Sequence, residues 1–340
     1  MGRVLVTGAS GFLGAHVVAH LTQSGEDVTC LVRASSSLDR LTARQVRFVY
    51  GDMNDESSLR AAVDQIDVVY HLAGLTKAFR ASDLFRINSQ GTATLARACA
   101  AQSTPPKLVV VSSLAAAGPA LTGRLRREED PVAPVSRYGA SKRRAELEAA
   151  RFAELMPISI VRPPIVFGPY DTEFLEMVKP ISQFGVHLAP LSHSQPISLI
   201  AAEDVAVALK LVAEQGQTLR REFSSGADSR GVYFVAAEQT PSFAELGNML
   251  AKALEKRSVR TVEAPGWLIN TTASVNEAWG RIRRRPHIFN WDKAREAQNG
   301  PWACSSQRIR SEVGFSCVKR LQLRLNELVA WYRHTGALPK

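Results

Sequence analysis

The sequence predicts an α/β fold: a doubly wound parallel sheet with helices on both faces, and a smaller, mostly helical C-terminal lobe. Three observations carry this prediction. Short apolar runs alternate with helical patterns through the first half of the chain, as in successive βαβ units. A glycine-rich turn joins the first strand to the first helix. After Phe167-Gly168-Pro169 the segments lengthen and are punctuated by Pro180, Pro190, Pro196, Pro241, Pro265, Pro286 and Pro301.

The elements follow in order. Arg3–Thr7 reads as a buried strand and Gly14–Ser24 as a helix. Strands are expected over Asp27–Arg33 and Val46–Tyr50, then a short helix over Ser57–Asp64 and a strand over Asp67–Leu72. An Ala-rich helix covers Ser89–Ala101. The strand Lys107–Ser112 is led in by Pro105-Pro106. A long helix, Tyr138–Leu155, precedes the strand Ile158–Arg162. Late strands at Ile197–Ile200, within a segment near 197–210, and at Val232–Ala236 are expected to return to the sheet. Residues 1–168 then form the sheet domain. Residues 169–196 and 237–340 form a substrate lobe over the C-terminal strand edge, where open α/β sheets bind ligands. The closing helix Leu321–Tyr332 sets Leu321, Leu325, Leu328 and Val329 on one face.

A chain of 340 residues is long enough for this arrangement. Its 45% hydrophobic and 22% charged residues exclude wholesale disorder, collagen and coiled coil. The charge balance of 42 − 32 = +10 allows anionic partners without choosing among them. The densest cationic cluster, Arg281-Ile282-Arg283-Arg284-Arg285-Pro286, has no nucleic-acid motif around it and reads as a solvated face. Cys30, Cys99, Cys304 and Cys317 show neither a CxxC pair nor zinc-like spacing to His, which predicts no metal site and a reduced, cytoplasmic setting. No apolar run reaches the roughly 18 residues of a membrane span. Because Arg3-Val4-Leu5-Val6 already reads as strand, no targeting segment is expected. The expected partner is a small-molecule substrate, with no nucleic acid and with a homodimer left open.

The first strand runs through Thr7-Gly8-Ala9-Ser10-Gly11-Phe12-Leu13-Gly14 directly into a helix. Gly8 suits the tight turn, Gly11 lets backbone approach a pyrophosphate, and Gly14 lets helix pack on strand. The helix N-terminus offers free N–H groups to the anion. At the end of the second strand stands Arg33-Ala34-Ser35-Ser36-Ser37, where an NAD-type pattern has an acidic residue. A guanidinium followed by hydroxyls suits a 2′-phosphate, so NADP(H) is favoured over NAD(H); a solvated strand end is the alternative for Arg33. Asp52 can accept from an adenine amino group or serve as a turn or N-cap residue. In His71-Leu72-Ala73-Gly74 the residues Leu72, Ala73 and Gly74 let the chain pass close to the cofactor, and His71 reads as a hydrogen-bonded packing residue.

Tyr138-Gly139-Ala140-Ser141-Lys142 opens a helix with Tyr138 and Lys142 on one face. The preceding strand ends in Ser112-Ser113 at the same sheet edge as the glycine turn. A phenol is a poor acid–base catalyst at neutral pH unless a neighbouring cation favours phenolate. A Ser hydroxyl can steady a developing alkoxide.

With these residues in place the sequence resembles the extended short-chain dehydrogenase/reductase superfamily, also called the NAD-dependent epimerase/dehydratase family. Thr7–Gly14, His71–Gly74, Asn88–Thr92, Val111–Ser113, Tyr138–Lys142 and Arg162–Pro169 match in order. The resemblance implies a Rossmann-like sheet. It implies Tyr138 as general acid/base, Lys142 as its pKa-lowering partner and ribose clamp, and Ser113 as donor to the substrate oxygen, with Ser112 the alternative. Pro164, Ile165 and Val166 face the nicotinamide carboxamide. Asn88 supports the Lys142 side of the site or caps a helix.

Two departures bear on substrate. Leu114-Ala115-Ala116-Ala117-Gly118 replaces the Val-Tyr-Gly-like segment of sugar-nucleotide epimerases. Gly168–Phe174 lacks the Asn that often holds the nucleotide there. Both resemble the branch acting on steroid- or flavonoid-like alcohols and ketones. The expected activity is hydride transfer between NAD(P) and a lipophilic carbonyl or alcohol. The alternatives are a nucleotide-sugar epimerase/dehydratase and, more remotely, a non-enzymatic NADP-binding regulator. Gly123–Asp130 reads as a mobile loop beside the substrate entrance. Trp267, Trp279, Trp291, Trp302 and Trp331 read as core and lobe anchors.

Overall fold

The computed structural model describes residues 2–42, 44–190, 194–226, 228–283 and 290–339. Of the basic cluster, Arg284, Arg285 and Pro286 lie outside the described residues. The central sheet contains β1 (Arg3–Thr7), β2 (Asp27–Val32), β3 (Arg47–Tyr50), β4 (Val68–His71), β5 (Lys107–Val111), β6 (Ile158–Arg162) and a later edge strand, Val232–Phe234. Its spatial order is edge strand-β6-β5-β4-β1-β2-β3, and every pair is parallel. The chain winds outward from β1 to β3, then returns to place β4 on the other side of β1. The crevice beyond the C-terminal ends of β1 and β4, where Thr7 pairs with His71, is therefore the topological switch point.

Strand alternation divides the core in two. Val4 and Val6 face a cluster with Val17, Val18 and Leu21 of the first helix and Val205 and Leu209 of the Ala202–Gln215 helix. Leu5 faces the other way, among Leu59, Val69, Leu95, Leu108 and Ile158. Both faces are apolar because helices cover both. A third cluster joins Phe167, Phe174, Val178 and Ile181 to Leu246, Leu250, Leu325, Leu328 and Tyr332.

Differences from the sequence reading have local causes. The first helix begins at Phe12, earlier than expected, because Gly11 already has the extended conformation of an N-cap. The expected Ser89–Ala101 helix is preceded by a π-helical turn, Phe85–Gln90, and is regular only over Gly91–Ala100. The long helix spans Arg137–Ala150, capped by the Ser136 hydroxyl accepting from the Gly139 N–H. The strand expected near 197–210 is only Leu199–Ala201, and it pairs with Ile165–Phe167 in a separate two-stranded sheet. Ala202–Gln215 is helix, so this segment returns to the sheet as a covering helix; its apolar residues carry a helical spacing that a strand reading missed. A further two-stranded ribbon pairs Val186–Pro190 with Arg260–Ala264.

The Gly123–Asp130 segment is anchored. Arg126 is buried, donating to the Pro119 and Pro131 carbonyls, and its backbone bonds to Ala303 and Ser305. Glu128 is buried and accepts from the Phe234 N–H. Trp302 and Trp331 pack on the third core cluster, whereas Trp267, Trp279 and Trp291 are exposed.

A buried ion pair ties the site helix to the sheet. Glu146 receives Arg162 through two hydrogen bonds of 2.7 and 2.6 Å, and both side chains are buried. Removing one partner strands a charge in the interior, which costs about 3–5 kcal/mol. We predict that Arg162→Met lowers unfolding free energy on that scale, measured by urea titration.

Candidate active site

The glycine turn is built by crowding. Gly8 has φ +71°, and a Cβ there would stand 2.7 Å from the Ala73 nitrogen, so β1 and the chain leaving β4 touch backbone to backbone. A Cβ on Gly14 would stand 2.1 Å from the Gly8 carbonyl oxygen. Gly11 is exposed at the mouth, and no side chain caps the helix it starts. A positive helix end with uncapped N–H groups, closed in by backbone, fits a pyrophosphate. Ser10, Phe12 and Leu13 line the same turn, partly buried. The Arg162–Pro169 run approaches it, since a Gly168 Cβ would lie 3.6 Å from the Phe12 ring and the Pro169 carbonyl lies 3.0 Å from His16 Nε2.

His71 is structural. The Ala73 N–H donates to Thr7 Oγ1 (3.1 Å), which lies 2.8 Å from His71 Nδ1; His71 Nε2 lies 2.8 Å from Thr92 Oγ1, which donates to the Asn88 carbonyl (2.6 Å). The amide end can only donate and the carbonyl end can only accept, so each group passes one hydrogen along. His71 is therefore neutral, accepting at Nδ1 and donating from Nε2. Burial, aided by the Lys142 charge, pushes its pKa down to about 3.

Asn88 is no N-cap. Within the π-helical turn its Oδ1 accepts from the Leu75 N–H (2.7 Å), and its Nδ2 donates to the Leu75 carbonyl and to Ser141 Oγ (2.9 Å each). This clamps the chain after Gly74 against the Tyr138–Lys142 turn. A Cβ on Gly74 would lie 3.0 Å from Asn88 Oδ1 and 3.9 Å from Lys142 Nζ, so Gly74 forms the open lip above the buried Lys142.

The two serines have different partners. Ser112 Oγ donates to Glu146 (2.6 Å) and is buried with the Glu146–Arg162 pair. Ser113 stands one residue on, caps the Leu114–Ala117 turn by accepting from the Ala115 N–H (3.1 Å), and its hydroxyl lies close enough to the Tyr138 phenol to favour phenolate. Lys142 donates to the Val111 carbonyl at 2.6 Å; burial pushes its pKa down to about 8, opposed by Glu146. Leu114–Ala117 is buried against the site helix, where a Gly139 Cβ would stand 2.3 Å from the Ala115 oxygen. Packing thus accounts for its small side chains.

Arg33 is exposed just beyond β2, its N–H bonded to the Ser36 hydroxyl. Asp52 follows β3, and its Oδ1 accepts from the Asn54 backbone and side chain, a turn-aspartate geometry. These Asn54 bonds, with the Arg33 and Arg86 charges, hold its carboxyl below the usual range. Ile165 and Val166 lie half-buried on the short strand that follows Pro164.

A family model described as "NAD dependent epimerase/dehydratase family" matches residues 4–223. The chain belongs to this family. It is an NAD(P)-dependent oxidoreductase of the extended short-chain type. It is 31% identical to a ceramide reductase of Caulobacter vibrioides, over 100% of this chain and 97% of that protein. It is 33% identical to sterol demethylase protein B of Methylococcus capsulatus, over 98% and 99%. A solved structure, MoeE5 in complex with UDP-glucuronic acid and NAD, matches with TM-score 0.72 and 25% identity over 98% of this chain and 100% of that one.

In this family member the sequence reading missed three site residues, all on the helix Trp291–Gln298. Asp292 accepts from the backbone N–H groups of Arg137 and Tyr138, 3.1 Å each. Glu296 accepts from Ser136 (2.7 Å) and pairs with Lys293 (2.9 Å). Lys293 Nζ stands 6.0 Å from the centre of the Tyr138 ring. Burial raises the Tyr138 pKa, and Lys293 and then Ser113 oppose that rise. The sequence assigned the opposing charge to Lys142, whose ammonium is engaged with Val111. Only the Asn290 N-cap and the acidic Asp292 mark this helix in the sequence. Lys77 pairs with Glu173 at 3.1 Å, and the Glu173 charge also acts on the Tyr138 phenol.

The Lys293 charge favours phenolate against that burial. Without it, burial acts on the phenol unopposed by that cation. We predict that Lys293→Met moves the Tyr-dependent limb of the kcat/KM–pH profile upward, with Lys293→Arg restoring it. A limb that stays in place assigns the phenol's charge balance elsewhere.

Proposed function

We propose that this enzyme transfers hydride between NADP(H) and a lipid-like carbonyl or alcohol, with Tyr138 as general acid/base. One observation carries the reading: Ser113 and the Tyr138 phenol come together at the switch-point edge, with Lys142 buried one helical turn further along beneath Gly74. Thr7–Gly14 would hold the pyrophosphate, and Leu72–Gly74, Asn88 and Lys142 the nicotinamide side, with Pro164–Val166 against the carboxamide. The bound nicotinamide supplies or accepts the hydride. Ser113 orients the substrate oxygen, and Tyr138 gives it a proton in reduction or takes one in oxidation. Lys142 binds the ribose, and Lys293 keeps the phenolate form within reach. Ser112 is held by Glu146, which leaves the donor role to Ser113.

The preference for NADP(H) rests on Arg33 and the Ser36 turn. Asp52 would sit at the adenine edge. Residues 169–196 and 237–340, built around the third core cluster, would supply the substrate lobe. The four cysteines are unpaired, which supports a cytoplasmic setting. The lipid-like substrate class follows the named activities of the ceramide and sterol relatives, together with the missing nucleotide-holding Asn. The ion pairs Lys77–Glu173 and Lys293–Glu296 beside Tyr138 favour a polar group at the reacting end. They also support a second reading, epimerisation or dehydration of a nucleotide sugar.

Tyr138→Phe should lower the single-turnover rate about 10²–10⁴-fold while leaving the cofactor dissociation constant nearly unchanged. Full rate in that variant means a different proton donor. Fluorescence titration should show NADPH binding more tightly than NADH, with Arg33→Ala erasing the difference. Tight, saturable UDP- or dTDP-sugar binding by calorimetry would reverse the substrate assignment in favour of the second reading.

A further inference from the structure

The helix Gly266–Arg283 has two apolar sides. Ile269 and Ala273 are buried against Ala294 and Ala264. The other side carries Trp267 (69% exposed), Leu268 (41%), Val275 (60%) and Trp279 (50%). At 100° per residue these four fall within an arc of about 120°, away from the buried pair. The only acidic residue of this helix, Glu277, falls outside that arc. At its end the Arg283 guanidinium stacks over Trp279, 4.8 Å from the ring centre. The adjoining ribbon repeats the pattern: exposed Val262 pairs in register with exposed Leu188, and exposed Arg260 shares Val262's face while Glu263 lies on the other.

An exposed indole pair with a leucine and a valine is more than scattered surface apolarity. Indoles flanked by arginines suit the lipid–water interface, where the ring is half desolvated and the cation meets lipid phosphate. The chain's net charge of +10 favours an anionic surface. A second copy of the chain fits less well, because it brings another +10 chain to this face, whereas an anionic surface complements the charge.

We propose that the solvent-facing side of the Gly266–Arg283 helix docks this enzyme on an anionic lipid bilayer. The docking is peripheral, with Trp267 and Trp279 in the interface and Arg283 on the headgroups. Its purpose rests on the reading of a lipid-like substrate. The docking helix packs, through Ile269 and Ala273, on the helix whose Asp292 and Lys293 contact the Tyr138 turn. Only the docking helix and the Trp291–Gln298 helix therefore separate the bilayer from the site, and a lipid substrate has a short path from membrane to phenol.

The test uses the full chain and needs no substrate. Co-sedimentation with vesicles of phosphatidylcholine containing about 30 mol% phosphatidylglycerol should show binding, about ten-fold or more tighter than to pure phosphatidylcholine and weakened by salt. Tryptophan emission should shift to the blue on binding. The double variant Trp267→Ser/Trp279→Ser, and separately Arg283→Glu, should lose about ten-fold or more in vesicle affinity. Their melting temperature and cofactor affinity should stay near wild type, because neither side lines the cofactor crevice. No binding to anionic vesicles, or unchanged binding by both variants, overturns the proposal. A dimer in sedimentation velocity that Trp279→Ser dissociates assigns the face to a second copy and overturns it too. Because vesicle binding is read without turnover, a nucleotide-sugar substrate would overturn the proposed reaction and leave this result legible.

Discussion

The site depends on one steric constraint, the backbone contact between β1 and the chain leaving β4. A Cβ at Gly8 would stand within 2.9 Å of three atoms of Leu72 and Ala73, and one at Gly14 would overlap the Gly8 carbonyl. No side chain fits at either point, so the turn is pinned between the sheet and the first helix. That contact brings Thr7 beside His71, and the hydrogen-bond relay from Ala73 through Thr7, His71 and Thr92 to Asn88 then fixes the far wall. Asn88 in turn clamps Leu75 to Ser141, one residue before Lys142. The glycine turn and the Arg137–Ala150 helix are thereby joined by one polar chain that runs from Ala73 to Ser141.

The catalytic helix is held from two further sides. Beneath it, the buried Glu146–Arg162 pair binds the helix to β6 and occupies Ser112. Above it, the Trp291–Gln298 helix supplies Asp292 to its first N–H groups and Lys293 to the phenol. Carboxylate at a helix N-terminus is favourable, and here it comes from a residue far along the chain. The Tyr138 environment is therefore completed by the C-terminal region, and the Rossmann-like half alone leaves that helix start uncapped from this direction.

What the sequence revealed follows the range of the interactions. Gly8, Gly11 and Gly14 were legible because a tight turn leaves its constraint in adjacent residues. Strands β1 to β6 were legible because strands covered on both faces need continuous apolar runs. Tyr138 and Lys142 share a face by helical spacing, and Ser113 follows a strand end. Asp292, Lys293 and Glu296 were not legible, since their partners lie more than a hundred positions away and their pattern matches any polar helix. The Leu199–Ala201 strand misled for a related reason: a short apolar run states that it is buried, and which sheet receives it depends on long-range packing. Trp267, Trp279 and Trp291 misled in the opposite sense, since apolar character alone cannot distinguish a core from an exposed face.

The division between Ser112 and Ser113 shows how burial assigns chemistry where sequence leaves a tie. Adjacent strand residues point to opposite faces. Val111 ends the strand with its carbonyl on the Lys142 ammonium, and Ser112 turns inward to the Glu146 carboxylate. A hydroxyl donating to a buried, doubly paired carboxylate has given up its only hydrogen, so it cannot also donate to a developing alkoxide. Ser113 turns outward, and its oxygen accepts from the Ala115 N–H. That acceptor duty leaves its own hydrogen free to meet the phenol or a substrate oxygen. The buried ion pair therefore does more than hold the helix: by consuming the hydrogen of Ser112, it leaves Ser113 as the member of the serine pair able to donate in the cleft.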